Sequence, residues 1–242
     1  MIAIHDLSFR YEGLPIFSGL SYAFERGKYY SILGPSGCGK TTLLNLVSGL
    51  LTPTEGTIAL GEADGTTAYM PQTDTLLPWR TVRENICLTF EVLGREVDEA
   101  TINSYLRLYE LADFAGYYPD KLSAGMKQRI ALIQALISRP GVLLLDEPFS
   151  NLDFDIKLKI QAGIARELAP TETTTLMVTH DIEDAIVMSD HILILSDKPV
   201  RIKRCIPITF DGHKEKNPIE LRKSHQLRDY FVEIWNELKY LG

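Results

Sequence analysis

Nine residues, Gly34-Pro35-Ser36-Gly37-Cys38-Gly39-Lys40-Thr41-Thr42, constrain this chain more than any other stretch. They follow Tyr29-Tyr30-Ser31-Ile32-Leu33, a β-branched and aromatic run that reads as a buried strand. They precede Leu43–Gly49, which reads as a helix stopped by glycine. A glycine-rich turn between a strand and a helix opened by Lys-Thr is the setting of a phosphate-binding loop. The glycines let successive backbone N–H groups curl around phosphate oxygens, and the helix N-terminus adds partial positive charge behind them. Lys40 can reach the β- and γ-phosphates of a triphosphate, and the Thr41 hydroxyl can ligate Mg²⁺.

A chain of 242 residues is long enough for one large α/β domain or a core with an inserted subdomain. Its formal charge of −7 disfavours a general nucleic-acid binder. The late cluster Arg201, Lys203 and Arg204 is better read as a solvated strand or turn face. Three scattered cysteines, Cys38, Cys87 and Cys205, fit a reducing cytoplasm rather than a disulfide framework, and none has zinc-ligand spacing to another cysteine or to histidine. Met1–Asp6 has neither the basic start nor the apolar centre of a signal peptide. No stretch approaches the ~20 apolar residues that span a bilayer, so any work at a membrane requires docking to another chain.

Ahead of the loop, Ile2–Phe9 and Ile16–Phe24 read as strands joined by a turn around Gly13 and Pro15, which predicts a small antiparallel sheet beside the nucleotide core. Behind it, Gly56–Leu60 and Thr67–Gln72 read as short strands. Helical periodicity over Val82–Leu93, Val97–Leu108 and Leu111–Phe114, with few strand signals between Gln72 and Pro140, predicts a helical insertion. A further helix over Met126–Ser138 follows Ser123, a credible N-cap. Strands are then expected at Gly141–Pro148, Thr173–Val178, His191–Leu195 and Val200–Ile208. Helices are expected at Asp155–Leu168 and Ile182–Met188, with two amphipathic helices over Pro218–Tyr240.

Val142-Leu143-Leu144-Leu145 is a buried parallel strand by composition, and it delivers Asp146 and Glu147 at its C-terminal end, where open α/β sheets bind ligands. Asp146 is placed to hold Mg²⁺, through water, and Glu147 to orient or deprotonate an attacking water. Thr173–Val178 similarly delivers His180, whose neutral imidazole could bond the γ-phosphate and that water together. On spacing alone, Tyr11 reads as sheet packing and Gln72 as a solvated loop residue.

Taken in order, these residues resemble the ATP-binding cassette (ABC) family, specifically the ATPase subunit of ABC transporters, over essentially the whole chain. Gly34–Thr42 matches Walker A. Gln72 matches the Q-loop glutamine. Leu122-Ser123-Ala124-Gly125-Met126-Lys127-Gln128-Arg129 matches the signature. Val142–Pro148 matches Walker B with its catalytic glutamate, Ser150–Asp153 the D-loop, and His180 the switch histidine.

The resemblance implies an α/β fold: a P-loop core with a RecA-like mixed sheet, an N-terminal antiparallel β-subdomain and an inserted α-helical subdomain. It divides a single domain into core and β-subdomain (1–72 and 140–212), helical subdomain (73–139) and a short helical tail (213–242). It gives Tyr11 to adenine stacking, and residues 34–42 to the phosphates of ATP. Mg²⁺ falls to Thr41, Asp146 and Gln72, which also senses the lytic water. Catalysis falls to Lys40, Gln72, Glu147 and His180. Ser123 and Gly125 would close over ATP bound by a second subunit, so a head-to-tail homodimer with two sandwiched nucleotides is implied.

Three departures stand out. Ala124 replaces the usual glycine and is compatible with the site only if its φ stays negative. Met126 replaces glutamine, and Asn151 replaces alanine in the D-loop. The stretch Leu76–Ile86, with Trp79, resembles the nitrate, sulfonate and taurine importers, a group that also includes thiamine-precursor permeases. There it would face a coupling helix of the permease. Trp79 fits an anchor in that groove or the core of the helical subdomain equally well.

The implied assembly is an importer at the cytoplasmic face of the cell membrane: two ATPase subunits, a membrane-spanning permease and an extracytoplasmic solute-binding protein, with no nucleic acid. The competing reading, a soluble ABC-type ATPase of DNA repair or translation, lacks its usual coiled-coil insertion or second cassette here.

Overall fold

A computed structural model describes residues 1–61, 65–73, 75–212 and 217–239. The phosphate loop leaves the C-terminal end of β3 (Tyr29–Leu33), a strand buried along its whole length. Two more buried strands, β6 (Val142–Asp146) and β7 (Thr174–Val178), lie beside it, as uninterrupted apolar runs must when both faces are covered. With β5 (Thr67–Met70), β8 (His191–Leu195) and β9 (Ile202–Pro207) they form a six-stranded sheet in the order β5-β6-β7-β3-β8-β9. All neighbours pair in parallel except β8 and β9. The mixed α/β fold expected from the sequence is therefore present.

The N-terminal sheet has three strands rather than the two expected. β1 (Ile2–Tyr11) pairs antiparallel with β2 (Leu14–Phe24) on one side and with β4 (Glu55–Leu60) on the other. β4 lies on the far side of the loop helix in sequence, so local pattern could not show which sheet it joins. A bulge in β1 places Asp6 at φ 47°. A Cβ on Gly56 (φ +81°) would sit 2.3 Å from the Asp6 carbonyl oxygen, so only glycine lets β4 approach the bulge.

Ile2, Ile4, Leu7, Phe17 and Phe24 pack under this sheet against Leu44, Leu144 and Leu176 of the core. Each such side chain contributes about 1.5–3 kcal/mol of apolar burial.

The helical segment runs as expected in kind. α2 (Val82–Leu93) opens on a capping box between Thr81 and Glu84. α3 is Glu99–Leu108, two residues shorter than expected at its start because Asp98 caps it. Ala112–Phe114 is a 3-10 turn rather than a helix. α4 spans Ala124–Ile137 and starts two residues earlier than expected, since the Ser123 side chain accepts from Met126 N. α1 likewise starts at Lys40, not Leu43, and runs to Val47.

α5 (Phe154–Leu168) and α6 (Ile182–Met188) cover the sheet. The tail holds a short α7 (Pro218–Leu221) and the longer α8 (His225–Lys239); Tyr240, the last residue expected in it, lies outside the described residues. Arg201, Lys203 and Arg204 lie exposed on and beside β9, the solvated strand face expected, and Lys203 and Arg204 are ion-paired there to Glu237 and Glu233 of α8.

Candidate active site

The sheet order gathers the site. β6, β7 and β3 are consecutive neighbours, so their C-terminal ends bring Asp146, Glu147, His180 and the loop 34–42 to one edge. In the loop, Gly37 takes φ +70° and Gly39 φ +129°. A Cβ on Gly39 would stand 2.6 Å from Ile16 Cγ2, so that position needs glycine for conformation and for space. Gly39 is also the N-cap of α1 and offers no side-chain acceptor, leaving the first N–H groups of the helix for an anion. Cys38 is buried beneath the loop, and burial pushes its thiol pKa up. Pro35 and Thr42 are half-buried, whereas Ser36, Gly37 and Thr41 are exposed.

Lys40 turns back on the loop. Its Nζ donates to the carbonyls of Gly34 and Pro35, each at 2.8 Å. Asp146 behaves in the opposite way. It is 1 % exposed, and neither carboxylate oxygen has a hydrogen-bond partner. Burial pushes its pKa up, and the nearby Thr41 hydroxyl and Lys40 charge oppose the rise without closing the gap. An orphaned buried carboxylate beside a threonine hydroxyl fits a hard divalent cation with oxygen ligands. Among the described residues no group of three or more His, Cys, Asp or Glu side chains is placed to hold a metal. A cation here would take its remaining ligands from phosphate and water, as Mg²⁺ does.

Glu147 lies one residue past β6 with φ 54°, an unusual conformation for a side chain of this size. Its N–H donates to the Val178 carbonyl at 2.9 Å, tying it to the end of β7. Its Oε2 lies 2.7 Å from His180 Nδ1. Burial raises the Glu147 pKa and the His180 ring beside it pulls it back, so the carboxylate is more basic than an ordinary glutamate. His180 is largely exposed on its remaining edge. The structure therefore joins Glu147 and His180, both expected at the attacking water, as a directly bonded dyad.

The signature residues sit on α4. Ala124 is the first helical residue and is absent from the positive-φ residues, so the condition for replacing glycine is met. Gly125 lies against the D-loop: a Cβ there would stand 2.5 Å from the Asn151 carbonyl oxygen. Gln128, to which the sequence reading gave no role, links the two segments. Its Nε2 donates to the Glu147 carbonyl (2.6 Å) and Ser150 Oγ (3.1 Å), and its Oε1 accepts from Asn151 N (3.0 Å). Only its place in the signature pointed to it. Gln72 is exposed and lines a cavity of about 290 Å³ with Ala124, Lys127 and Asn151. Tyr11, at the end of β1, is 45 % exposed and meets Phe9 edge-to-face at 4.8 Å, which leaves a ring face for a base.

Trp79 is 70 % exposed, so it is not core of the helical segment. Its loop is tied down by hydrogen bonds and an ion pair. Buried Asn85 accepts from Leu77 N (2.8 Å) and donates to the carbonyls of Leu77, Arg80 and Thr81, while Arg80 pairs with Glu91.

Comparison with known proteins agrees with this geometry. Residues 17–150 match the ABC transporter family. The uncharacterized ABC transporter ATP-binding protein YtlC of Bacillus subtilis is 38 % identical over 224 residues, 90 % of this chain and 86 % of that one. The aliphatic sulfonates import ATP-binding protein SsuB 1 of Rhodococcus jostii is 38 % identical over 96 % of this chain and 94 % of its own length. The formylaminopyrimidine import ATP-binding protein ThiZ of Halalkalibacterium halodurans is 37 % identical over 83 % and 81 %. Among solved structures, the dimeric post-hydrolysis state of the ATP-binding cassette MJ0796 bound to ADP and Pi superposes with a TM-score of 0.76 at 25 % identity, covering 87 % of this chain and all of that one. With its phosphate loop, its orphaned aspartate and its glutamate–histidine pair in one place, this chain belongs to the ABC transporter family as an ATP-binding subunit that hydrolyses ATP.

Proposed function

We propose that this chain powers an importer of small solutes, of the nitrate, sulfonate, taurine or thiamine-precursor kind. It does so from the cytoplasmic face of the cell membrane, where no described helix is long and apolar enough to cross on its own. Two copies close head to tail over ATP and move a membrane-spanning permease, which takes its cargo from an extracytoplasmic solute-binding protein. We assign residues 1–72 and 140–212 to the core with its β-subdomain, 73–139 to the helical subdomain and 213–242 to the tail.

In this reading the N–H groups of residues 34–42 hold the phosphates, and Tyr11 stacks on adenine. Lys40 exchanges the Gly34 and Pro35 carbonyls for β- and γ-phosphate oxygens. Thr41, Asp146 and, from the Q-loop, Gln72 hold Mg²⁺, which when bound offsets the charge of the phosphates. Glu147 takes a proton from the attacking water as that water's oxygen bonds to the γ-phosphorus and the bond to the ADP oxygen breaks. His180 is held beside the Glu147 carboxylate through Nδ1, with its exposed edge toward the γ-phosphate. Ser123 and Gly125 of the second copy bring the N-terminus of their α4 to the same phosphate. Loss of the γ-phosphate removes those contacts and reopens the dimer.

The observation that favours a permease partner is Trp79: a large apolar side chain exposed on a loop that Asn85 and Arg80 keep in one shape. Aromatic side chains that become buried on association dominate many interfaces. Co-expression with a candidate multispanning permease tests this. Wild type should co-purify with that permease in detergent, and Trp79→Ala should weaken recovery about tenfold or more while leaving basal ATP hydrolysis intact. Equal recovery of wild type and variant would remove Trp79 from the interface. A chain that stayed free of any permease and bound DNA at physiological salt would overturn the importer reading.

A further inference from the structure

Behind the His180 turn lies a cluster of charged side chains that the hydrolysis chemistry does not use. Asp181, the residue after His180, caps α6 by accepting from Asp184 N at 3.0 Å. Its other oxygen accepts from Lys157 Nζ of α5 at 3.1 Å. The same Nζ donates to Asp184 at 3.1 Å. Asp184, 2 % exposed, also accepts from Gln161 Nε2 at 2.9 Å and from Arg222 Nη2 at 2.7 Å. Arg222 stands at the end of α7, in the tail, and its Nη1 donates to the Pro218 carbonyl at 3.3 Å. Two carboxylates thus face two cations, and the tail supplies one of the cations.

We propose that Arg222 is a positioning residue for ATP hydrolysis, holding the His180 turn in place through Asp184, Lys157 and Asp181. The chain of contacts is continuous from α7 to the residue beside His180, which itself touches Glu147 at 2.7 Å. The physical link is competition for Lys157. With Arg222 present, buried Asp184 has its own guanidinium, and Lys157 is shared with Asp181. Without Arg222, the buried carboxylate is the costlier one to leave unpaired, and it draws Lys157 off Asp181. Asp181 then holds its turn by the α6 cap alone, and the ring of His180 loses its fixed approach to Glu147. Burial raising the Asp184 pKa and hydrogen bonds lowering that of Asp181 agree with this order of demand. The inference rests on the role of His180 proposed above.

Kinetics of full-length wild type, R222M, R222K, H180A and R222M/H180A test it, at a temperature where circular dichroism shows each to be folded. R222M should lower kcat about five- to thirtyfold with KM for ATP changed by less than about twofold. R222K should restore kcat to within about threefold of wild type. In the H180A background, R222M should change the residual kcat by less than about twofold, because the group it positions is gone. A merely structural role for Arg222 would give the same loss in both backgrounds, and that result would overturn the proposal, as would a wild-type kcat for R222M.

The ¹⁵N resonances of the histidine rings give an independent readout: R222M should move or broaden His180 and leave His5 and His191 in place, whereas an unmoved His180 overturns the link. If R222M does not fold, R222Q takes its place, a shifted or broadened His180 supporting the link and a wild-type resonance rejecting it. H180A hydrolysing at the wild-type rate would reject the role of His180 itself. That outcome is distinct from a slow H180A with a fast R222M, which rejects only Arg222.

Discussion

Asp146→Asn should make the ligand-free protein more stable while abolishing its response to Mg²⁺. Asp146 is 1 % exposed with both oxygens unpartnered, and its pKa is raised chiefly by burial. An unsatisfied buried polar group costs about 1–3 kcal/mol, more when charged. The Lys40 charge and the Thr41 hydroxyl recover part of this. Asparagine keeps the shape and removes the charge but leaves an unpaired amide, so the net gain is about 1–2 kcal/mol. For a chain of this size each kcal/mol moves Tm by roughly 2–4 °C, so the expected rise is about 2–8 °C.

The sign with pH follows from the raised folded pKa. The penalty is fully present above that folded pKa, declines as pH falls through it, and is gone below the unfolded value. Scanning calorimetry in EDTA at neutral pH should therefore show the variant melting higher, with the two curves converging in acid. With Mg²⁺ and a non-hydrolysable ATP analogue the order should reverse, because only wild type gains the cation. A variant that melts lower than wild type in EDTA would refute the claim that this carboxylate waits for a cation.

Other substitutions probe neighbouring parts of the site. Gly125→Ala places a methyl 2.5 Å from the Asn151 carbonyl, so the D-loop must shift. Overpacking of this kind costs about 1–3 kcal/mol in urea denaturation. Hydrolysis should fall with it, since Gln128 ties Asn151 to Glu147; unchanged stability and rate would show that the contact yields freely. For pH dependence, raising of the Glu147 pKa by burial puts the acid limb of kcat above the ordinary carboxylate range. His180→Ala removes a group that lowers that pKa, so the limb of the residual activity should move to higher pH. A limb that stays fixed would separate the two side chains.

Much of this site was legible because its signals are local. Val82–Leu93, Ile182–Met188 and His191–Leu195 have the limits their patterns suggest, each marked by a cap or a bounded apolar run. Ser123 was recognisable as a cap, although the helix it opens starts at Ala124 because the cap lies directly before it.

What could not be read depends on groups far apart in sequence. The membership of Glu55–Leu60 in the N-terminal sheet depends on a pairing with Ile2–Ser8. The need for glycine at Gly125 comes from a carbonyl at Asn151, and the conformation of Glu147 from its bond to Val178. The ion pairs of the exposed Lys203 and Arg204 could not be read because their partners, Glu233 and Glu237, lie about thirty residues on. Trp79 was undecided for the same reason: a lone tryptophan carries no sign of which side it faces, and only the packing of α2 leaves it exposed.

The central claim is that residues 34–42, Asp146, Glu147 and His180 form half of a site completed by Ser123 and Gly125 of a second copy. Gel filtration of Glu147→Gln with and without Mg²⁺-ATP tests it most directly. Without its base the variant should bind ATP and fail to hydrolyse it, so it should elute as a dimer, at twice the 27.2 kDa of one chain, only when nucleotide is present. A Glu147→Gln protein that binds ATP yet stays monomeric would contradict the claim.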